Sequence, residues 1–328
     1  MRTILNTLFE NQMLTRFEAK DALLEITRGN SNPTQTTAFI TAYLMRKITV
    51  DELTGFRDAL LESGQKIDLS EFNPMDLCGT GGDNKDTFNI STAAAFVAAG
   101  AGVPIAKHGN YAVSSSCGSS NVLEYFGYKF SNSENVLRSE MERAGICFLH
   151  APLFQSSLKI VSGIRKDLQC KTFFNMVGPL INPSSPKKQM LGVYSRELAS
   201  LYSQILKDSN KDYVIIFSED GYDEISLTGS YREISRFSDR VYLPEHEGFN
   251  RVSPSSIKGG SDIKGSAEIF MNILTGEGTK EQNEVVIANA AAAIRCYFPM
   301  LEKADAKAMA RESILSKKAL RTFKKLIG

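Results

Sequence analysis

The sequence predicts an α/β protein, in which a small helical N-terminal domain precedes a larger α/β domain with a central mixed sheet flanked by helices. Helix start signals, each followed by apolar residues at helical spacing, recur through residues 1–70, where no strand pattern is evident. After Pro74, short apolar runs end in glycine-rich or polar turns and alternate with helical stretches. The 328 residues fit two domains, or one large α/β domain with a small appendage. We place the boundary at residue 72, with 1–72 helical and 73–328 α/β.

Three capping signals predict the N-terminal helices. Thr15 and Thr49 each stand three residues before a glutamate, and this pairing can satisfy amide donors at a helix start. Asn32 precedes Pro33, which is favourable at the first helical position. We therefore expect helices to begin just after these residues.

The α/β region contains six candidate strands and six candidate helices. We predict strands over 75–78, 103–106, 146–149, 190–194, 213–217 and 224–227. We predict helices over 91–100, 119–126, 133–144, 156–168, 197–208 and 280–297. The last helix carries an alanine-rich run at 288–293, which we expect to pack in the core.

Composition excludes several classes of protein. Lys plus Arg (38) nearly balance Asp plus Glu (37), so no basic field indicates nucleic acid or an anionic membrane. The five cysteines lie far apart, which favours free thiols over a disulfide framework or a zinc site. The most apolar run, 93–106, is too short to span a bilayer, and the first residues lack a signal-peptide pattern. We expect a cytoplasmic protein with no membrane partner.

A glycine-rich turn follows the first predicted strand. Residues 79–83 are Gly-Thr-Gly-Gly-Asp, and 89–92, Asn-Ile-Ser-Thr, open the next helix. Glycines let backbone amides approach a ligand closely, and a helix N-terminus adds oriented donors and a positive dipole end. Taken alone, such a turn is more often a tight βα connection. The alternative is a cradle for phosphate or diphosphate.

A second candidate cradle follows the second predicted strand. Residues 107–110 are Lys-His-Gly-Asn, and a hydroxyl-rich segment follows at 114–119. A lysine charge among hydroxyls and amides suits another phosphate, although Lys107 alone would be a solvated surface lysine and His108 a structural histidine. Ligand sites of open α/β sheets gather at strand carboxyl ends, so the two cradles predict a ligand with two phosphate groups.

An acidic loop follows the predicted strand 213–217. Its adjacent carboxylates, Asp223 and Glu224, can hold Mg²⁺, which prefers oxygen ligands and often shares them with substrate phosphates. By itself an acidic loop is ordinary solvated surface. Beside two phosphate cradles it predicts a metal bridge on an exposed loop.

Together these motifs resemble those of the anthranilate phosphoribosyltransferase family in order and approximate spacing. The resemblance covers nearly the whole chain and rests on 79–83, 89–92, 107–110, 118–119, 223–224, Arg165 and 173–180. It implies a helical and an α/β domain with a hinged crevice, Mg²⁺ as cofactor, and a homodimer formed by 1–72 joined by part of 165–190. It also implies transfer of the 5-phosphoribosyl group from 5-phosphoribosyl 1-diphosphate to the amine of anthranilate in tryptophan biosynthesis.

The resemblance also implies roles for individual residues. Those expected to bind the donor are Gly79, Gly82, Asp83, Thr87, Asn89, Ser91, Thr92, Lys107 and Ser119. Those expected to bind anthranilate are Gly79, Asn110 and Arg165, and those expected to hold the metal are Ser91, Asp223 and Glu224. No catalytic acid or base is expected. A neutral aromatic amine can attack C1 of the ribose while diphosphate departs, its charge neutralised by Mg²⁺ and amides.

The chain departs from the family pattern at four places. Tyr111 stands where many members have arginine, Asn121 where they have aspartate, and Lys171 where they have arginine. The segment 151–157 is Ala-Pro-Leu-Phe-Gln-Ser-Ser, where the family usually has His-His-Pro-Ala. That segment lines the acceptor channel of the family, so the last departure concerns anthranilate more than the donor.

Two alternatives compete with this prediction. A pyrimidine nucleoside phosphorylase-like enzyme shares the general fold and a related glycine turn, although such chains usually carry an additional C-terminal domain that we do not expect here. A noncatalytic, nucleic-acid-binding relative is supported only by a lysine- and arginine-rich stretch at 317–325. A solvated helix face explains that stretch better at a net charge of +1.

Overall fold

The structure is a computed structural model that describes residues 1–112 and 116–328. Its contacts divide the chain into two compact units. The helical unit comprises Met1–Ile67 and Ala151–Ser185, and the α/β unit comprises Asp68–His150 and Pro186–Gly328. The first segment of the helical unit ends at Ile67, before the predicted boundary at residue 72. Its second segment begins at Ala151, earlier than the predicted 165–190.

Helices and strands appear in the following order along the described residues. They are α1 (Arg2–Phe9), α2 (Arg16–Thr27), α3 (Pro33–Met45), α4 (Val50–Ser63), β1 (Met75–Gly79), α5 (Ile90–Gly100), β2 (Ile105–Gly109), α6 (Ser119–Tyr125), α7 (Glu134–Ala144), β3 (Ile146–His150), α8 (Ala151–Phe154), α9 (Lys159–Leu168), α10 (Phe174–Val177), β4 (Lys188–Gly192), α11 (Arg196–Lys207), β5 (Asp212–Ser218), β6 (Tyr231–Ser235), β7 (Asp239–Tyr242), α12 (Ile263–Thr275), α13 (Lys280–Tyr297), α14 (Lys303–Leu315) and α15 (Lys318–Ile327).

The helical unit begins its helices where the capping signals predict. Thr15, Asn32 and Thr49 each accept a hydrogen bond from the backbone amide three residues on, and each forms a complete capping box. Aromatic rings fill the core of this unit, with Phe56 stacked on Phe173 at a centroid distance of 4.4 Å. Buried aromatic pairs of this kind add to the stabilisation from apolar burial.

The α/β unit is built on one mixed seven-stranded sheet. The strand order is β3-β2-β1-β4-β5-β6-β7, with parallel pairing from β3 to β5 and antiparallel pairing from β5 to β7. The central strand β1 has β2 on one side and β4 on the other, so the strand order reverses direction here. Ligand sites of open α/β sheets lie at the carboxyl ends of strands beside such a reversal.

Helices α5 and α13 pack together within the core of the α/β unit. Residues 93–98 of α5 are fully buried, and so is most of the alanine-rich run of α13. Small side chains let helix backbones approach closely, which explains why both helices are rich in alanine. The prediction that 288–293 packs in the core is confirmed.

The predicted strand 224–227 is wrong. Its backbone is irregular because side chains bind it: Asn289 Oδ1 accepts from the Ile225 amide at 3.1 Å, and Asn289 Nδ2 donates to the Ile225 carbonyl at 2.9 Å. Leu227 also has a positive φ of 58°. The strand that pairs with β5 is instead β6, which forms an unpredicted hairpin with β7.

Two further expectations concern cysteines and membranes. All five cysteines are free, and only Cys170 is exposed. Within 1–112 and 116–328, none of the helices has the length and apolar character that a membrane crossing needs.

Candidate active site

The glycine turn after β1 wraps around the carboxylate of Asp223. The Gly81 amide donates a hydrogen bond to Asp223 Oδ2 at 2.7 Å. Gly81 and Gly82 have positive φ values of 62° and 77°, which glycine adopts without strain. A Cβ on Gly79 would lie 2.4 Å from Asp223 Oδ2. Glycine at 79 therefore lets the acidic side chain approach the end of β1.

Gly192, at the end of β4, is a second glycine that this packing requires. A Cβ there would lie 1.8 Å from the Asp223 carbonyl oxygen, and the Gly192 carbonyl accepts a hydrogen bond from the Thr80 amide at 2.9 Å. Sequence reasoning missed this residue. The one feature of the sequence that could have indicated Gly192 is the presence of a glycine at the end of a strand next to the site.

The acidic loop is held firmly, contrary to the prediction of an exposed loop. Asp223 is only 7% exposed. The Ser218 hydroxyl donates to the Glu224 carbonyl at 2.7 Å, and Asn289 binds both backbone groups of Ile225. The Ser218 contact comes from the end of β5, next to the loop in sequence, whereas the Asn289 contacts come from α13, about 64 residues away. Asp223 is therefore buried, and Glu224 is half-buried, between the glycine turn and the start of α5.

The buried carboxylates repel one another and lose hydration. Burial, and to a smaller extent the neighbouring Asp83, raise the pKa of Asp223 to about 7. Burial and then Asp223 raise the pKa of Glu224 well above its usual range, while Lys107 opposes that rise. Glu224 Oε2 has no hydrogen-bond partner among the described residues. A cation beside these oxygens would stabilise their ionised form.

Lys107 lies inside the molecule rather than on its surface. Its side chain is 2% exposed, and its Nζ donates to the Leu77 carbonyl and, at 3.5 Å, to Ser91 Oγ. Burial lowers its pKa, and nearby Cys78 and acidic groups oppose that shift. The interpretation of Lys107 as a solvated lysine is therefore wrong, and its charge partly offsets that of the carboxylates.

The N-terminus of α5 faces the acidic loop. The Ser91 amide donates to Glu224 Oε1 at 3.2 Å, and Asn89 Nδ2 donates to the Cys117 carbonyl at 3.0 Å. Thr92 is buried behind them. Thr87, just before the helix, pairs with Lys258 in an isolated antiparallel bridge. The predicted motif 89–92 and the predicted metal ligands are thus brought into direct contact.

The second predicted cradle begins within β2, which contains residues 107–109, and continues beyond it. Asn110 is exposed, and its carbonyl accepts a hydrogen bond from Ser119 Oγ at 3.3 Å. A Cβ on Gly109 would lie 2.6 Å from the same hydroxyl, so glycine is needed there too. Asn121 Oδ1 accepts from the amides of Ala112 and Gly118 and fixes both ends of the segment. Ser114 and Ser115 lie outside the described residues.

Comparisons with known proteins identify the family. A helical bundle domain of a glycosyl transferase family matches residues 2–64, and the a/b domain of a glycosyl transferase family matches 71–320. The anthranilate phosphoribosyltransferase of Flavobacterium johnsoniae is 51% identical over 99% of this chain and 98% of the relative. That of Cytophaga hutchinsonii is 50% identical over the full length of both.

Solved structures agree with these relatives. Anthranilate phosphoribosyltransferase from Thermus thermophilus has a TM-score of 0.91 at 28% identity, covering 99% of this chain and 98% of that one. The Saccharomyces cerevisiae enzyme in complex with PRPP and Mg has the same score and identity, covering 99% and 96%. The chain belongs to the anthranilate phosphoribosyltransferase family. The predicted enzyme class and the predicted helical and α/β architecture are confirmed.

One departure from the family pattern, Tyr111, contacts a histidine that sequence reasoning missed. The ring centroids of Tyr111 and His150 lie 4.8 Å apart. His150 also stacks on Phe130 at 4.4 Å, and its Nδ1 lies 2.9 Å from Ser120 Oγ. Burial lowers the pKa of His150, which favours the neutral ring. Tyr111 thus completes a cluster of rings beside Asn110.

Arg165 belongs to the helical unit, on α9. Its guanidinium carbon lies 5.2 Å from the Phe174 ring centroid, and burial lowers its pKa. It forms no ion pair with any residue that the structure describes. On the same helix Val161 is buried and Ile160 is exposed. The anthranilate role of Arg165 stays a prediction.

Proposed function

We propose that this chain transfers the 5-phosphoribosyl group of 5-phosphoribosyl 1-diphosphate to the amine of anthranilate, at the carboxyl ends of β1, β2 and β5. One observation supports this assignment above the others. The glycine turn, the start of α5 and the carboxylates of Asp223 and Glu224 converge within hydrogen-bond distance. Backbone donors suit diphosphate oxygens, and buried carboxylates suit a divalent cation.

The donor would bind over the glycine turn and the N-terminus of α5. There, the backbone at 82–83 and the Ser91 hydroxyl would meet a phosphate group, with Asn89 and Ser119 beside them. The amides of Thr80 and Gly81 already donate to Gly192 and Asp223 and hold the turn in place. Lys107 acts from behind Ser91, so its buried charge orients that hydroxyl and limits repulsion between carboxylates and phosphate. These groups are fixed before the donor arrives, which reduces the reorganisation needed in the transition state.

The residues present fit magnesium. Asp223 is buried and Glu224 is half-buried, their charges repel each other, and Glu224 Oε2 has no hydrogen-bond partner among the described residues. In the described chain, no group of three or more His, Cys, Asp or Glu side chains is placed to hold a metal. We assign two carboxylates and Ser91 to the ion, with donor phosphates and water completing an oxygen shell. When bound, Mg²⁺ supplies positive charge that stabilises the departing diphosphate.

The acceptor needs positioning rather than activation by a strong base. The aromatic amine of anthranilate is neutral near pH 7 and carries a free electron pair, so it can attack C1 of the ribose directly. We assign Asn110 and Gly79 to the acceptor side, and Arg165 to its carboxylate through two parallel N–H donors. Tyr111 and His150 lie beside Asn110, and we propose that they limit the acceptors that fit.

The assay follows the loss of anthranilate fluorescence with purified protein, the donor and Mg²⁺. We expect loss that requires both the donor and the metal and stops when EDTA is added. The same protein, given uridine and inorganic phosphate, should release no uracil. Uracil release without anthranilate consumption would replace this proposal with the nucleoside phosphorylase alternative.

We also propose that two copies associate through the helical unit. Its first three helices expose large apolar side chains, with Met45 83%, Phe17 78% and Phe9 65% exposed. A groove of about 760 Å³ between α1 and α3 adds to this surface. Exposed apolar patches of this kind mark interaction sites. In sedimentation runs, Met45→Glu should yield monomers, whereas Met300→Glu, at an equally exposed methionine, should remain dimeric.

A further inference from the structure

A second cavity lies in the α/β unit, on the side of α13 that carries alanines. Its volume is about 340 Å³, at the small end of the range of roughly 300–1,000 Å³ for small-molecule sites. Ala288, Ala291 and Ala292 form one wall, and Tyr231 and Phe249 add aromatic rings. These five residues are buried. The cavity therefore offers an apolar space for a flat side chain.

One polar edge of the cavity is the pair formed by Glu233 and Arg295. Glu233 is 8% exposed, and burial raises its pKa. An Arg295 guanidinium nitrogen donates to Glu233 Oε2 at 3.4 Å, a long contact. This is the one hydrogen bond of the Arg295 side chain within the described residues, although a guanidinium has five N–H donors. Both groups can therefore bind a ligand as well.

The cavity lining also carries Glu247, Lys303 and Lys307. Lys303 Nζ donates to Glu247 Oε1 at 2.7 Å. Lys307 Nζ donates to the Glu247 and Gly248 carbonyls and lies 3.8 Å from the Phe249 ring centroid. Carbonyl oxygens do not neutralise an ammonium group. The lining thus contains three cations against two carboxylates.

We propose that this cavity binds a free α-amino acid with an aromatic side chain. The α-carboxylate would meet Arg295 and Lys307, the α-ammonium would meet Glu233 and Glu247, and the ring would lie on the alanine wall. A simple anion that bound Arg295 would draw it away from Glu233 without replacing the lost cation, and a simple cation would leave the excess positive charge unneutralised. None of the residues proposed above for donor, acceptor or metal lines the cavity, so this is a separate site.

L-tryptophan is a suitable probe because the chain contains no tryptophan. Light absorbed by indole but not by tyrosine then excites only the ligand, and its anisotropy reports binding without protein background. We expect saturable binding with one site per chain that persists with saturating donor, Mg²⁺ and anthranilate. L-phenylalanine should displace the probe. Tryptamine, which lacks the carboxylate, and indole-3-propionate, which lacks the ammonium, should each bind at least about tenfold more weakly.

Two variants and a control locate the site. Arg295→Gln should weaken tryptophan binding at least about tenfold, because it removes a charge-assisted hydrogen bond to the ligand. Ala292→Leu fills the cavity and should also weaken tryptophan binding at least about tenfold. Circular dichroism and unchanged turnover would show that this variant is folded. Arg240→Gln, at an exposed arginine on β7, should bind as the wild type does.

Three results would overturn the proposal. The first is an absence of saturable binding by both tryptophan and phenylalanine. The second is equal affinity in wild type and Arg295→Gln. The third is displacement of the probe by the donor or anthranilate, which would place the amino acid in the substrate site. The proposed transfer reaction does not depend on any of these outcomes.

Discussion

Asn289 is the residue through which α13 fixes the metal-binding loop, and its replacement by alanine should damage both stability and donor binding. Its side chain accepts from the Ile225 amide at 3.1 Å and donates to the Ile225 carbonyl at 2.9 Å, directly after Glu224. Both backbone groups are buried. An unsatisfied buried group costs about 1–3 kcal/mol, so Asn289→Ala should lower the free energy of unfolding by roughly 3–4 kcal/mol.

The assay pairs urea unfolding with titration of the donor in the presence of Mg²⁺. Because the loop loses its anchor, the dissociation constant of the donor should rise at least about tenfold. The matched control is Asn283→Ala on the same helix, whose side chain donates to the Gly278 carbonyl away from the loop. Asn283→Ala should lower the free energy of unfolding by about 1 kcal/mol and leave donor binding unchanged. The reasoning would be refuted if Asn289→Ala lowered the free energy of unfolding by less than about 1 kcal/mol, or if this variant bound the donor with wild-type affinity.

Three further predictions concern a buried acid, the buried lysine and the acceptor. Burial raises the pKa of Glu140 to about 7, above its unfolded value, so its contribution to stability is lost as pH rises through 7. Urea unfolding should therefore show that Glu140→Gln stabilises the fold by about 2–3 kcal/mol more at pH 8 than at pH 5, unlike Glu142→Gln on the same helix. Lys107→Met should raise the Michaelis constant of the donor at least about tenfold and change that of anthranilate little. Steady-state kinetics with each substrate varied in turn would measure both constants, and a larger rise for anthranilate would show that the assignment is wrong. Arg165→Lys should raise the Michaelis constant of anthranilate alone, and equal reaction of a carboxylate-free aniline with the wild type would contradict that role.

Local signals in the sequence predicted most helices well. Helix α13 spans the predicted range 280–297, because Thr279 forms a capping box and the apolar pattern behind it is continuous. The strand prediction at 224–227 failed for a physical reason. Its alternating apolar residues resemble a strand, but the side chain of Asn289, 64 residues away in sequence, takes both backbone hydrogen bonds of Ile225, and the nearby Ser218 hydroxyl binds the Glu224 carbonyl. Such long-range competition leaves no local trace.

The motifs of the site could be predicted from the sequence, but the burial and the contacts of their side chains could not. Glycines and carboxylates at strand ends indicated phosphate and metal chemistry. The burial of Asp223 depends on two glycines, at 79 and 192, that come from different strands and leave room for its atoms. The inward position of Lys107 likewise follows from its place on β2, between neighbouring strands of the sheet. Neither fact can be read from spacing alone.

The most direct test of the account measures donor binding and turnover in the double variant Asp223→Asn/Glu224→Gln. Calorimetric titration of the wild type with 5-phosphoribosyl 1-diphosphate should depend strongly on Mg²⁺. In the double variant that dependence should vanish, and turnover should fall about a thousandfold, as expected for losing several kcal/mol of charge stabilisation. The control Glu219→Gln/Asp220→Asn, on the exposed part of the same loop, should retain both. Unchanged magnesium dependence in the folded double variant would contradict the central claim that these carboxylates hold the metal.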